Sequence, residues 1–289
     1  MDHADRDEPR GSRPIRRPFN AGAVAELRDR LLGPGRFVTA VDVVEETTST
    51  NADLLSAAAT GAGEGTVLLA RHQSAGRGRL DRRWIAPAGS ALTFSFVVRP
   101  AVPRAAWSWL PLLTGLALRA AVAAVSDDAS TVRLKWPNDL LAGTSPGKLA
   151  GILVQAGGPA AVIGIGLNVD QDRGELPGPA ATSLRLLNRA VPATADLLVD
   201  VLDEWAARYR AFVRAGGDAD RSGAREEYRA VCATLGQLVE VRRTGGVLRG
   251  QAIDVAADGA LVVRPGGSDV PDDVAVSAGD VIHLRAPAR

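Results

Sequence analysis

Residues 135–155, KWPNDLLAGTSPGKLAGILVQ, leave the backbone few choices. Pro137 fixes φ, and the short side chains of Asn138 and Asp139 bond nearby backbone, so this tripeptide is a turn. The run GTSPG makes a second turn. Apolar residues flank both. The spacing predicts strand over 132–136, 140–142 and 148–155, a hairpin whose second arm opens on Lys148. The same stretch holds every lysine of the chain. Of 34 Lys+Arg residues, only Lys135 and Lys148 are lysine. A compositional drift from Lys to Arg is harmless on a surface. It fails where a compact, flexible ammonium is needed and a planar fork does not fit. Two surviving lysines beside a Trp and an Asn-Asp pair therefore mark a candidate site. Chance proximity is the plain alternative.

The rest of the chain supplies elements around this stretch. Residues 21–32 have apolar positions at helical spacing and stop at Gly33-Pro34. Residues 37–44 read as a strand. Ser49, Thr50 and Asn51 form an N-cap cluster for a helix over 52–59, and the cap alone explains these residues as well as a ligand does. A strand over 66–71 leads into HQSAGRGRLDRRWIAPAGS. Residues 91–98 then alternate, with Leu92, Phe94, Phe96 and Val98 on one face. Between two strands, glycines allow close backbone approach and arginines offer bidentate phosphate donors. Neither Gly76-x-Gly78 nor Gly164-x-Gly166 is a dinucleotide fingerprint, because Asp81 and Val169 stand where a third glycine belongs. GTSPGKL is not a Walker A loop, because the spacing is one short and Leu149 replaces Ser/Thr.

A long apolar helix is expected over 107–125. In the strand expected over 161–170, Ile163, Ile165, Leu167 and Val169 share one face, while Gly164, Gly166 and Asn168 share the other. A Gly-Gly-Asn face is either a floor for a flat ligand or room for close packing. Residues 171–182 read as a Gly/Pro loop. Helices are expected over 194–213 and 224–235, with Cys232 packed in the second. After 236 the texture changes to short strands, with Asp258-Gly259 a hairpin signal. The domains are thus a disordered tail at 1–20, a main domain at 21–235 and a small β-barrel at 236–289.

Composition excludes several classes. Net charge +1 gives no global attraction for nucleic acid or membrane. A single cysteine rules out an internal disulfide framework and suits a reducing compartment. Three scattered histidines do not make a zinc site. No apolar run reads as long enough to span a bilayer. The charged, Pro-rich start is no secretory signal.

Three stretches together resemble the biotin–protein ligases: GRGR…W (Gly76 to Trp84), KWPNDL with GKLAGIL (Lys135 to Leu153), and GIGLNV (Gly164 to Val169). Ser49-Thr50-Asn51 fits the N-terminal motif of that family, and the C-terminal strands fit its small terminal domain. The likeness covers about residues 37–285. It implies an α+β fold: a mixed β-sheet flanked by helices, of the class II synthetase/biotin ligase-like type, then a small Src-homology-3-like β-barrel. It also implies the monofunctional type, without the N-terminal DNA-binding domain that some members carry.

The reaction implied is activation of biotin by ATP to biotinyl-5′-AMP, then transfer to a lysine of a biotin carboxyl carrier domain, with ATP, biotin and Mg2+ as substrates and cofactor. The resemblance implies Lys148 and Arg79 as catalytic groups. For biotin it implies Ser49, Thr50, Asn51, Gln73, Arg77, Gly78, Arg79, Lys148, Gly151, Gly164 and Gly166. For ATP it implies Arg77, Arg79, Arg82, Trp84, Lys135, Asn138, Lys148 and Asn168. No metal ligand is identified. Leu80-Asp81 departs from the family, which often has a small or basic residue followed by Gly; Asp81 is expected to stiffen the loop. Gln155 stands where relatives often carry Glu. A cytoplasmic protein, monomeric or weakly dimeric, with no DNA or membrane partner, is expected. The alternatives are a lipoate–protein ligase, which needs a pocket for a longer acyl chain, and a non-catalytic nucleotide- or RNA-binding module. Near-neutral charge and a Gly-Arg loop without interleaved aromatics weigh against the latter.

Overall fold

The protein is described by a computed structural model covering residues 16, 20–80, 82–243, 246–266, 272–277 and 279–284. The main domain runs α1 (Ala21–Leu31), β1 (Ala40–Thr47), α2 (Thr50–Ala59), β2 (Thr66–Gln73), β3 (Ala91–Val98), α3 (Leu110–Val125), β4 (Arg133–Lys135), β5 (Asp139–Ala142), β6 (Gly147–Gly157), β7 (Ala160–Asn168), α4 (Leu184–Leu187), α5 (Thr194–Arg214) and α6 (Ala224–Val231). Its seven strands form one sheet in the order β1-β2-β3-β7-β6-β5-β4. Only β1 and β2 pair parallel; the remaining pairs are antiparallel. The stretch 132–155 is thus a three-strand meander rather than a single hairpin.

The central strands β3 and β7 are buried at every position. One face carries Leu92, Phe94, Phe96 and Val98 with Ile163, Ile165 and Leu167, and packs into the main core together with residues of α3 and α5. Burying each such side chain contributes about 1.5–3 kcal/mol, which explains why these two strands anchor the sheet. Trp205 of α5 stacks on Tyr209 with ring centroids 4.4 Å apart and meets Phe96 edge-on at 4.8 Å. The other face is divided. Leu54 of α2 covers Leu68, Val97, Ala160 and Val162. Beyond this cover lie Thr93, Ser95, Gly164 and Gly166, which are polar or small.

Several element ends differ from expectation for physical reasons. The first strand spans Ala40–Thr47 rather than 37–44, because parallel pairing runs from Ala40 opposite Thr66 to Thr47 opposite Gln73. Phe37 stays outside it and packs on Trp205 instead, at 4.8 Å between centroids. The helix expected over 107–125 divides: Arg104–Trp109 is a 3-10 helix, and α3 begins at Leu110 with Pro111 in its first turn, where a proline is tolerated. The last main-domain helix ends at Val231, so Cys232 caps it, buried, rather than lying inside it. The single turn α4 was not anticipated. The segment Arg104–Val125 has the length and apolarity of a membrane span, which corrects the reading that no run does; 61% of its apolar window is buried inside the fold, as befits a core helix.

The C-terminal unit is five antiparallel strands, β8 (Leu238–Arg243), β9 (Gly246–Val255), β10 (Leu261–Pro265), β11 (Val274–Val276) and β12 (Asp280–His283), in the order β11-β10-β9-β8-β12. The turn joining β9 to β10 needs Gly259 at φ +83°. That turn docks on the main domain. The Trp109 indole N–H donates to the Ala257 carbonyl at 2.7 Å, and the Trp136 indole to the Gly259 carbonyl at 2.9 Å. Of the segment 1–20, residues 16 and 20 are described and the rest lies outside the described residues. Asn20 caps α1, and Arg16 pairs with Asp170 at 3.0 Å and Glu175 at 2.8 Å.

Candidate active site

The uncovered half of the sheet face forms the floor of a cavity. The N-terminus of α2, the loop after β2, the β4–β5 turn and residues 279–281 of the C-terminal unit wall it. Ser49, Thr50, Asn51, Gln73, Arg77, Gly78, Arg79, Arg82, Trp84, Lys135, Asn138, Lys148, Gly151, Gly164 and Gly166 all line it. Asn168 does not. Its amide donates to the Thr182 carbonyl at 3.0 Å and accepts from Gln171 at 2.9 Å, so it ties the 171–183 loop to β7. Asn168 is 3% exposed, so the structure does not bring this expected ATP-site residue together with the others.

The Gly/Arg loop folds back as a tight hairpin. The Trp84 N–H donates to Gly76 O at 2.9 Å and the Gly78 N–H to Arg82 O at 2.6 Å. A Cβ on Gly76 would fall 2.5 Å from the Trp84 carbonyl, so the closure requires glycine there. Leu80 sits at the tip with φ +53°, an uncommon conformation for a branched side chain, and is 65% exposed. Asp81, expected to stiffen this loop, lies outside the described residues.

Polar groups of α2 are organised by the sheet. Ser49 caps the helix, its oxygen accepting from the Ala52 N–H at 3.5 Å. The Thr50 N–H donates to Gln73 Oε1 at 2.8 Å, and its hydroxyl lies 3.0 Å from the same oxygen and 2.7 Å from Ser95 Oγ. Ser95 donates to Asn51 Oδ1 at 2.6 Å, and Asn51 Nδ2 donates to Gln155 Oε1 at 2.9 Å. These contacts explain the glycine face. A Cβ on Gly164 would sit 2.1 Å from Asn51 Oδ1, and one on Gly166 2.3 Å from the Trp84 ring. The glycines therefore make room for two protein side chains while still lining the cavity. The Trp84 indole N–H is buried with no hydrogen-bond partner among the described residues.

Cations gather at the opposite end. Lys148 Nζ lies 2.6 Å from Asp139 Oδ1. Burial pulls Lys135 below the ordinary lysine range, against the opposing pull of Asp139 and Asp280. Burial likewise lowers Arg79, which donates to Asn138 Oδ1 at 3.0 Å. Asn138 in turn donates to the Ile152 carbonyl at 2.9 Å, so the turn residue holds both the strand and the arginine. The C-terminal unit reaches in as well: Arg82 pairs with Asp280, and Gly279 O lies 3.4 Å from Arg79. Asp139, Ser95, Gln155 and residues 279–281 were not singled out as site residues. Alternation along 91–98 places Ser95 opposite the phenylalanines and could have found it. No local signal points to Asp280, which arrives through tertiary docking. The arrangement offers hydrogen-bond groups for a small polar ring at one end and a cationic cluster for phosphate at the other.

The profile of the Biotin/lipoate A/B protein ligase family matches residues 42–171, and that of the Biotin protein ligase C terminal domain matches residues 234–284. The biotin–[acetyl-CoA-carboxylase] ligase of Mycobacterium tuberculosis is 43% identical over 263 residues, covering 90% of this chain and 94% of that protein. The ligase of the same description from Paracoccus denitrificans is 33% identical, covering 79% of this chain and 96% of that one. Among solved structures, a biotin protein ligase from Aquifex aeolicus in complex with biotin and ATP superposes with TM-score 0.72 at 24% identity, covering 86% of this chain and all of that one.

Proposed function

This chain belongs to the biotin/lipoate A/B protein ligase family, and on that premise we propose that it is a biotin–protein ligase working through the cavity described above. Biotin's carboxylate attacks the α-phosphorus of ATP, giving biotinyl-5′-AMP and pyrophosphate. A lysine amine of a carrier protein then attacks the acyl carbon. AMP leaves, and the amine loses its proton.

The observation that carries the residue assignment is the meeting, in one cavity, of the Ser49–Thr50–Gln73 cluster with Lys148 paired to Asp139. The first transition state places negative charge on the α-phosphate oxygens and the bridging carboxylate oxygen. Lys148 is the compact cation positioned by Asp139 to meet it, a type of interaction worth a few kcal/mol. Arg79, held by Asn138, and Arg82 clamp phosphates, and Lys135 faces the pyrophosphate side. Arg77 and Gly78 supply loop backbone over biotin, and closure of the loop keeps water from the mixed anhydride. Ser49, Thr50 and Gln73 bind the ureido ring, while Asn51 acts behind them as a strut. Trp84, already over Gly151 and Gly166, forms the adenine platform.

Magnesium enters with the triphosphate as part of the nucleotide substrate. Among the described residues no group of three or more His, Cys, Asp or Glu forms a metal cage. Among the described residues, the carboxylates lining the cavity are Asp139 and Asp280, and magnesium commonly takes one or two carboxylates beside its phosphates. The acceptor is a biotin carboxyl carrier domain of a biotin-dependent carboxylase, and the reaction proceeds in the cytoplasm. Adenylate formation from α-labelled ATP, with biotin, lipoate or no acid, tests the assignment. Product with biotin supports it; product with lipoate alone moves the chain to the sister activity.

A further inference from the structure

We propose that Ser95, which does not line the cavity, is a specificity-determining positioning residue. It makes the Thr50 hydroxyl an acceptor-only group toward the ligand, so that the site demands an N–H at that position. The inference rests on the assignment of the Ser49–Thr50–Gln73 cluster to the ureido ring.

Two backbone groups of fixed polarity, the Leu153 carbonyl and the Thr50 N–H, end this hydrogen-bond chain. The Leu153 carbonyl can only accept, and the Asn51 amide reaches it at 3.3 Å, so the atom there is Nδ2. The other atom of that amide, facing Ser95 Oγ at 2.6 Å, is therefore Oδ1. An amide oxygen has no hydrogen, so Ser95 commits its only hydroxyl hydrogen to Asn51. At the other end the Thr50 backbone N–H can only donate, which fixes Oε1 as the Gln73 atom 2.8 Å away.

Thr50 now sits between two acceptors. Ser95 Oγ at 2.7 Å has no hydrogen left to give, and Gln73 Oε1 at 3.0 Å never had one. Two internal contacts compete for the single Thr50 hydrogen. Whichever takes it, none remains for the cavity, and the hydroxyl presents lone pairs alone. Ser95 is fully buried and Thr50 is 3% exposed, so water does not relax this constraint. A ligand N–H is welcomed there, while a ligand oxygen meets lone pair against lone pair. Gln73, with its oxygen engaged, keeps its Nε2 hydrogens for donation. Gln155 extends the chain by accepting from Asn51 at 2.9 Å, but the Leu153 carbonyl already sets the direction.

The test compares biotin with its two cyclic carbamate analogues, each with one ureido N–H replaced by a ring oxygen. Binding to the full chain is measured by calorimetry, and adenylation by pyrophosphate release. The wild-type protein is expected to reject one of the two analogues by at least about tenfold relative to biotin, because a site built to accept an N–H discriminates strongly against its absence. Ser95→Ala removes the shorter of the two contacts and leaves Thr50 only the 3.0 Å one to Gln73 Oε1, an acceptor shared with the Thr50 N–H, so a ligand oxygen can compete for the Thr50 hydrogen. It should raise KM for biotin with KM for ATP unchanged, and narrow that rejection by roughly threefold or more. Ser95→Cys keeps a donor and should retain the wild-type preference.

Wild-type protein that binds both analogues as well as biotin overturns the inference, even if Ser95→Ala does not fold. So does a Ser95→Ala protein that loses stability or affinity with its preference unaltered, which is the signature of a purely structural role. Absence of biotin binding by the wild-type protein strikes the functional assignment itself, a separate and recognisable outcome.

Discussion

Gly164→Ala is a demanding perturbation because the structure states what the added methyl meets. Its Cβ would lie 2.1 Å from Asn51 Oδ1 and 2.9 Å from Asn51 Cγ. Real Cβ atoms essentially never come within 3.0 Å of such a neighbour, so the carboxamide must shift by roughly 1 Å or more. It cannot shift alone, since it is held at 2.6 Å by Ser95, 2.9 Å by Gln155 and 3.3 Å by the Leu153 carbonyl. Losing such bonds at a buried residue costs about 1 kcal/mol each, hence roughly 2–3 kcal/mol after partial relaxation. If this falls on the ligand cluster, KM for biotin rises roughly 30- to 150-fold, while KM for ATP stays near its original value. If it falls on the fold, Tm drops by roughly 4–12 °C. Adenylation kinetics and thermal unfolding with and without biotin separate the two. Gly63→Ala is the control, because nothing lies within 4 Å of its added Cβ. Wild-type KM for biotin and wild-type Tm in Gly164→Ala would refute the reasoning that Gly164 exists to seat Asn51.

Other outcomes follow from the same geometry. Lys148→Ala should bind biotin yet lose adenylate formation by at least about a hundredfold, and Lys148→Arg should not restore it, because a planar fork does not replace a compact ammonium beside Asp139; pre-steady-state adenylation reads this. Trp136→Phe strands the Gly259 carbonyl and should cost about 1–3 kcal/mol in denaturant unfolding, since the lost bond ties the two units together. Burial, with Lys135 nearby, lowers His283 from an ordinary 6.5 to about 4. The unfolded chain therefore binds this proton first. The stability held by neutral His283 is complete above pH 6.5 and is lost as pH falls toward about 4, and His283→Gln should flatten unfolding curves within that window.

How much of this was legible beforehand follows the range of each interaction. The strand over 91–98 was read with its observed bounds, because alternation is a local signal that burial on both faces did not disturb. The Ser49 cap and the Lys148 arm were likewise local. Phe37 was drawn into the first strand by its own β-propensity, whereas pairing with β2 places it outside, against Trp205. The bonds of Asn168 to Thr182 and Gln171 are not legible in the sequence, because a Gly-Gly-Asn face looks alike whether it meets a ligand or a loop. Asp280 stands 198 residues from Arg82 in sequence, and only the docking of the C-terminal turn on Trp109 and Trp136 brings it near. The polarity of the Thr50–Ser95–Asn51 chain depends on which backbone groups end it, and no spacing rule contains that.

The most direct measurement is single-turnover formation of acyl-adenylate from α-labelled ATP and magnesium, with biotin and lipoate compared side by side on the wild-type chain and Lys148→Ala. The account predicts adenylate with biotin only, and its near-complete loss in Lys148→Ala while biotin remains bound. Adenylate from lipoate in preference to biotin, or near-normal adenylation by Lys148→Ala, would contradict it.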